Sequence, residues 1–339
     1  MQIGGGKKQP SQSVRQSNLE LLRIVAMFFI VVGHVFWHGF HQEASLHVPV
    51  RSVVIIGVNL FVLISGYFGI NLRLKGLFTI IGVVLFYSGI SVVVRWCFGS
   101  MDLSFMSYIQ LLSPFSFTNY WFVKCYIGLM LLSPLLNAGL AAILKNKNNS
   151  IFFLMSLSYI NFIGGWLSGD FYINGNGYNL MNFVFIYIVG RYLFEYSIYK
   201  KISPFLWCLL YASATATLYF MAFIMPGRVW NYNNPCIVLA AISFFCLMLY
   251  FQLKSSFINY MASCMFPVYL LQDGLAGNGC LYDYIYRWYS KELYIYVIIY
   301  IICLFGAVFL LEPIRRRLMT PIIEYIVTRF EKRGITLNF

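Results

Sequence analysis

Long apolar runs, parted by short polar breaks, recur along the chain from residue 19 to residue 311. Strand-length alternation of apolar and polar positions is absent, and the runs are too long for the strands of a barrel. A backbone crossing lipid must satisfy its own hydrogen bonds, so runs of this length read as helices. The pattern predicts ten spans, near 19–40, 48–70, 76–98, 119–144, 151–167, 180–196, 204–225, 235–253, 257–279 and 293–311. The predicted fold is an all-α, polytopic transmembrane helical bundle. No internal boundary or fixed-period repeat divides it. Residues 1–18 read as a disordered basic tail, 19–312 as the transmembrane bundle, and 313–339 as a basic amphipathic tail. In that last stretch an RRR cluster precedes IIEYIVTRFEKR. Such a helix suits a leaflet carrying anionic lipid.

Composition supports lipid as the main solvent. The 339 residues are 60% hydrophobic and only 10% charged, where a soluble domain carries about a quarter charged. The net charge of +13 raises nucleic acid as a partner, but its distribution argues against one. All but six of the 24 Lys and Arg fall on the N-terminal side of the predicted spans. Arg51, Arg95, Arg228, Arg287 and Lys291 fall on the other side, and Lys124 lies inside a span. The positive-inside rule then places both termini in the cytoplasm, which requires an even number of spans.

The eight cysteines are scattered, mostly within spans, and none forms a CxxC pair. They read as small packing residues. The GGGKK of the N-terminal tail lacks the spacing of a phosphate loop. The first apolar run follows basic residues as a signal peptide would, but it has no A-x-A-like cleavage site and more spans follow, so it reads as a retained helix. The longer linkers, near 99–118, 168–179, 226–234 and 280–292, fall on the outer side. SGDFYINGNGYN and PGRVWNYNNP are rich in Asn, Gly and aromatics. They suit either sugar stacking or an ordinary interfacial aromatic belt.

Arg23 and His34 in NLELLRIVAMFFIVVGH change the picture most. Polar groups inside a membrane helix are expensive and need a reason. Their spacing rotates the helix by about 1100°, within about 20° of three full turns, and raises it by about 16 Å. One face therefore carries an anion-binding group near the surface and a general base deeper in. His34 can accept a proton near neutral pH. Arg23 suits bidentate phosphate contact, although a snorkelling anchor is its plainer reading. Glu20, one turn earlier, can orient Arg23. His38 and His41 extend the stripe. A shared metal is the alternative reading, but supporting carboxylates are sparse, with Glu43 past the helix end, and no metal is expected.

Further candidates lie elsewhere. Arg73, Lys75 and Arg191 are expected at the level of Arg23, where they can form a basic mouth for a nucleotide-bearing donor. In GVNLFVLISGYFGI, Asn59 and Tyr67 are candidate oxyanion donors, and Ser65, Gly66 and Tyr67 are candidates for the donor site or for close helix packing. NYWFVKCYIGLMLLSPLLN places Trp121 and Lys124 near the outer end of the fourth span. SCMFPVYLLQDG places Gln272 and Asp273 in the outer half of the ninth, where Asp273 can pair with Lys124.

These segments, in this order, resemble the bacterial integral-membrane acyltransferase family of type three, whose members O-acylate exported glycans. The matching pieces are NLELLR…H, NLFVLISGYF, YWFVKCYIGLMLLSPLLN and FPVYLLQD. The resemblance implies a helical bundle in the bacterial cytoplasmic membrane. It also implies acyl-CoA, usually acetyl-CoA, as a co-substrate with no bound cofactor, and a polysaccharide or glycolipid acceptor. Polysaccharide-synthesis proteins are possible partners. Arg23 would then be the donor-side Arg and His34 the essential His. Many relatives carry His where Gln272 stands, so this chain would rely on His34 alone or on Asp273. A glycan or small-molecule exporter is the competing reading, and a non-catalytic scaffold the third. Neither inverted repeats nor a mid-membrane carboxylate supports the exporter beyond Asp273 itself.

Overall fold

Each of the ten predicted segments is helical in the computed structural model, which describes residues 16–40, 46–98, 109, 120–170, 173–276 and 280–337. Helix α1 (Ser17–His34) continues into a π-helical turn, Val35–Gly39. Then come α2 (His47–Val54), α3 (Gly57–Phe68), α4 (Leu74–Cys97) and α5 (Trp121–Ile143). Helix α6 (Lys147–Ser158) runs on as a second π segment, Tyr159–Leu167. They are followed by α7 (Leu180–Glu195), α8 (Pro204–Ile224) and α9 (Pro235–Met248). The last four are α10 (Ser256–Ala262), α11 (Met265–Leu275), α12 (Cys280–Ser290) and α13 (Tyr294–Lys332). The N-terminal tail, His41, Glu43 and the linker near 99–118 lie outside the described residues, apart from residue 109.

Local sequence sets several starts. Asn146, Asn179, Ser203, Asn234 and Ser255 each accept a backbone N–H of the helix they precede. Pro204 and Pro235 follow two of these caps at the first helical position, where a missing N–H costs nothing. Gly69, at φ +76°, closes α3 in a conformation that a side chain would strain.

Among the described residues, seven helical segments are long and apolar enough to cross a membrane. They are the six that begin at Ser17, His47, Leu74, Trp121, Lys147 and Pro204, and α13. The remaining three predicted spans are shorter than the ten-span reading expects. Helix α7 has 16 residues, α9 has 14, and the ninth span is broken into α10 and α11. The reason is burial: α7 and α9 lie largely inside the protein, so neighbouring helices rather than bilayer thickness set their length.

The core is built around α1, α3, α7, α9 and α11. Two glycines set the tightest crossing. A Cβ on Gly66 would collide with the Tyr187 backbone, and one on Gly190 with the backbone of Leu63 and Tyr67. The packing reading of Gly66 is the one realised, with small residues letting α3 and α7 approach. Gly57 does the same where α3 meets Ala26 and Ile30 of α1.

Two boundaries differ from the sequence reading. Residues 280–290 form α12 rather than a loop, and its Ile285 packs with Val35, Phe40 and Val297. No break occurs at Pro313: α13 passes through Pro313 and Pro321 to Lys332. Its end returns to α4 through Leu74, Ile323 and Val327 and a Lys75–Glu324 ion pair of 2.8 Å. Glu312 is buried at 2% exposure. It accepts hydrogen bonds from Arg315 and Arg316 at 2.8–2.9 Å and from the Tyr87 hydroxyl at 3.2 Å.

Candidate functional site

The first apolar helix carries the site. Arg23 and His34 line one cavity of about 250 Å³ together with Met27 and Ile30, as a three-turn spacing requires. Val58, Phe61 and Ser65 of α3, Trp121 and Phe122 of α5, and Phe266 and Tyr269 of α11 complete much of its wall. The lining is largely apolar, with Arg23 at one place and His34 at another. Ser65 shares a 3.1 Å hydrogen bond with the Tyr126 hydroxyl on this wall.

His34 also lines a second cavity, of about 300 Å³. Its other walls include Trp37, His38, Arg51, Tyr178 and Tyr232. Ile30, Val58 and Trp121 are common to both cavities. The imidazole therefore stands where two chambers of different character adjoin. His34 ends the α-helical part of the segment, and the π turn that follows changes the direction of the next side chains. His38 sits on that turn, with its ring 5.7 Å from that of His34 and 5.1 Å from that of Tyr282.

Asp273 of α11 meets His34. Nδ1 of the imidazole and Oδ1 of the carboxylate are 3.3 Å apart, within ion-pair distance but not aligned as a hydrogen bond. Both side chains are mostly buried, at 22% and 16% exposure. This corrects the expected Lys124–Asp273 pair. Lys124 is exposed, while α11 leans on α1 and α4. Gly274 makes that approach feasible: a Cβ there would collide with the Ser91 and Tyr120 hydroxyls.

Glu20 accepts from Arg23 Nη1 with both carboxylate oxygens at 2.8 Å, so the expected orienting pair is present. Arg73, Lys75 and Arg191 do not line either cavity. Arg73 and Lys75 are exposed, Lys75 is held by Glu324, and Arg191 turns toward the Tyr67 carbonyl and the Phe194 ring. Residues placed by charge topology ring the bundle, and topology alone does not gather them into one cavity. Arg316, paired with Glu312, touches the cavity wall from behind. Its Nη2 donates to Ser263 Oγ at 2.8 Å, and Ser263 lines the cavity of Arg23.

The two oxyanion candidates are occupied elsewhere. Asn59 is fully buried and donates to the Tyr232 carbonyl at 2.9 Å. Tyr67 packs among Phe68, Phe194 and Phe245. Gln272 is also buried and donates to the Val31 carbonyl at 3.3 Å, bracing α11 on α1 without lining either cavity. Trp121, by contrast, separates the cavities, with Tyr178 and Tyr232 4.9 and 5.6 Å from its ring. Those two tyrosines come from the Asn-rich linkers. There Asn174 donates to Asn161 Oδ1 at 2.5 Å, Asn233 donates to the Asn174 carbonyl, and Asn231 donates to Gly175 at 3.1 Å. The asparagines staple the linkers, and the aromatic rings face the second cavity.

Arg51, Tyr269 and Arg316 escaped the sequence reading. Only Arg51 left a signal, as a cation placed against the prevailing charge bias. An imidazole lining two adjoining chambers, beside a carboxylate and facing a guanidinium-tipped apolar channel, is an arrangement suited to group transfer between two ligands. A protein-family model for an acyltransferase domain, acyltransferase type three, matches residues 16–317. No curated protein and no solved structure matches the chain. With its apolar helices and a family match over nearly its whole length, the chain belongs to the acyltransferase 3 family and is a membrane enzyme that transfers acyl groups.

Proposed function

We propose that the protein moves an acyl group, acetyl in the simplest case, from acyl-CoA to a hydroxyl of a cell-surface or exported polysaccharide or glycolipid in the bacterial cytoplasmic membrane. The observation that carries this reading is the position of His34, shared by two cavities and backed by Asp273. The channel of Arg23 takes the donor. Its apolar wall suits the thioester arm, and Arg23 takes the phosphates that remain outside, with Arg316 close by behind Ser263. The second cavity takes the acceptor.

The chemistry follows from those positions. Asp273 beside Nδ1 favours a proton on that nitrogen and leaves Nε2 free as the base. Nε2 removes the acceptor hydroxyl proton as the oxygen attacks the thioester carbonyl. The tetrahedral intermediate collapses, the C–S bond breaks, and the imidazolium returns its proton to the departing thiolate. Asp273 stabilises the imidazolium while it exists. Direct transfer needs no covalent enzyme intermediate. Membrane lipid and cytoplasmic termini complete the picture, with donor supply on the cytoplasmic side.

Radiolabelled acetyl-CoA supplied to membranes containing the protein tests this reading. Label should appear in the glycan fraction and free thiol should appear in equal amount. Transport of intact glycan without acyl transfer would instead support an exporter.

A further inference from the structure

Arg51 is a buried guanidinium whose setting the acyl-transfer chemistry does not use. It sits in α2 at 3% exposure and lines the second cavity beside His34. Two aromatic rings stand against it. Trp37 lies against it, and the Trp230 ring centre is 4.4 Å from the guanidinium carbon. Tyr178 and Tyr232 line the same cavity. Stacked faces leave a guanidinium only its in-plane N–H groups for hydrogen bonding. Of these, Nε and Nη2 are buried with no hydrogen-bond partner, and no carboxylate among the described residues pairs with Arg51.

Arg315 shows what that pair of donors is suited to. Its Nε and Nη2 each donate at 2.8 Å to one oxygen of the Glu312 carboxylate. Arg51 holds the same two donors unpaired and buried, on a residue that lines the cavity beside His34. An unpaired buried cation is destabilising unless something compensates it. Aromatic stacking compensates in part, and it also preorganises the fork for a planar or tetrahedral oxyanion.

We propose that Arg51 binds an anionic group of the acceptor, a carboxylate or a phosphate, carried on or next to the sugar whose hydroxyl is acylated. The enzyme thereby selects acidic glycans, such as those containing uronic acid residues or sugar phosphates, over neutral ones. This rests on the assignment of the second cavity to the acceptor. Trp121, Tyr178 and Tyr232 supply the apolar face on which the ring lies, and Arg51 fixes its register relative to His34.

Binding tests this without requiring turnover. The probes are methyl glucuronide, a hexose phosphate and neutral methyl glucoside, added to the purified full chain in detergent. The readout is quenching of Trp fluorescence, to which Trp37 and Trp230 contribute. At least one anionic probe should bind about tenfold or more tighter than the glucoside; which of the two does so identifies the carboxylate or phosphate source. In Arg51→Gln the preference should disappear and the probes should bind alike, while Arg51→Lys, keeping the charge but not the fork, should retain part of it. Equal binding of all three by the wild-type chain would overturn the proposal, as would failure of both anionic probes to bind. So would displacement of glucuronide by the nucleotide end of CoA alone, because the Arg51 fork would then serve the donor. The wild-type comparison stands even if a variant fails to fold. Selective binding without acyl transfer from any donor would count against the assigned reaction and not against the anion site.

Discussion

His34 Nδ1 lies 3.3 Å from Asp273 Oδ1, joining the C-terminal end of α1 to the ninth apolar segment. That contact pairs Asp273 with His34 rather than with Lys124. Asp273→Asn keeps the shape but removes the charge that favours the productive tautomer and the imidazolium. It is expected to lower kcat by about 10²–10⁴-fold with little change in the KM for acyl-CoA. Steady-state kinetics in matched membranes check this. The exchanged pair Lys124→Asp with Asp273→Lys should not recover activity; recovery would restore the Lys124 pairing.

Arg23 is expected to act on donor binding. Arg23→Ala removes the guanidinium held by Glu20 on the channel wall. The KM for acyl-CoA should rise about 10- to 100-fold, the range for losing hydrogen bonds to a charged group, while kcat changes much less. Alanine at Arg73, Lys75 or Arg191 should shift KM far less, since none of the three lines the channel. An equal loss at all four positions would favour a diffuse basic mouth.

The α3–α7 crossing predicts a stability effect without a catalytic cause. Gly66→Ala or Gly190→Ala pushes a Cβ into facing backbone, and overpacking of this kind costs about 1–3 kcal/mol or more. Gly139→Ala on α5 has open space around it and should be neutral or slightly stabilising, since Ala favours a helix over Gly by about 1 kcal/mol. Thermal unfolding in detergent, monitored by loss of the monodisperse protein, separates the two classes.

Glu312 predicts the opposite kind of loss. Removing it in Glu312→Ala leaves Arg315 buried without its bidentate partner, which costs about 3–5 kcal/mol. Glu312→Gln should recover part of that. The same thermal measurement serves, and a variant as stable as wild type would show that the ion cluster is dispensable.

The axis of the site was legible because it is local: Arg23 and His34 share one helix, and helical periodicity alone puts them on one wall. What escaped depends on tertiary packing. Asp273 and Lys124 both read as outer-half charges, and only the lean of α11 on α1 decides which partner Asp273 meets. Arg73, Lys75 and Arg191 share an expected membrane level, yet level does not fix which residues face one cavity. Helices α7 and α9, read as full spans, are shorter than that reading because they pack largely inside the protein. Residues 280–290 looked like a linker because their apolar positions serve one side only, against Val35 and Phe40. The contact of Gln272 with the Val31 carbonyl likewise depends on how α11 meets α1.

The most direct test of the account is acyl transfer by wild type and His34→Gln, with Asp273→Asn alongside, in membranes of matched expression and with detergent stability confirmed. Wild type should label the glycan from radiolabelled acetyl-CoA, and His34→Gln should lose transfer by about 10²-fold or more while still binding acyl-CoA. Undiminished transfer by a folded His34→Gln variant would contradict the central claim that the imidazole between the two cavities is the catalytic base.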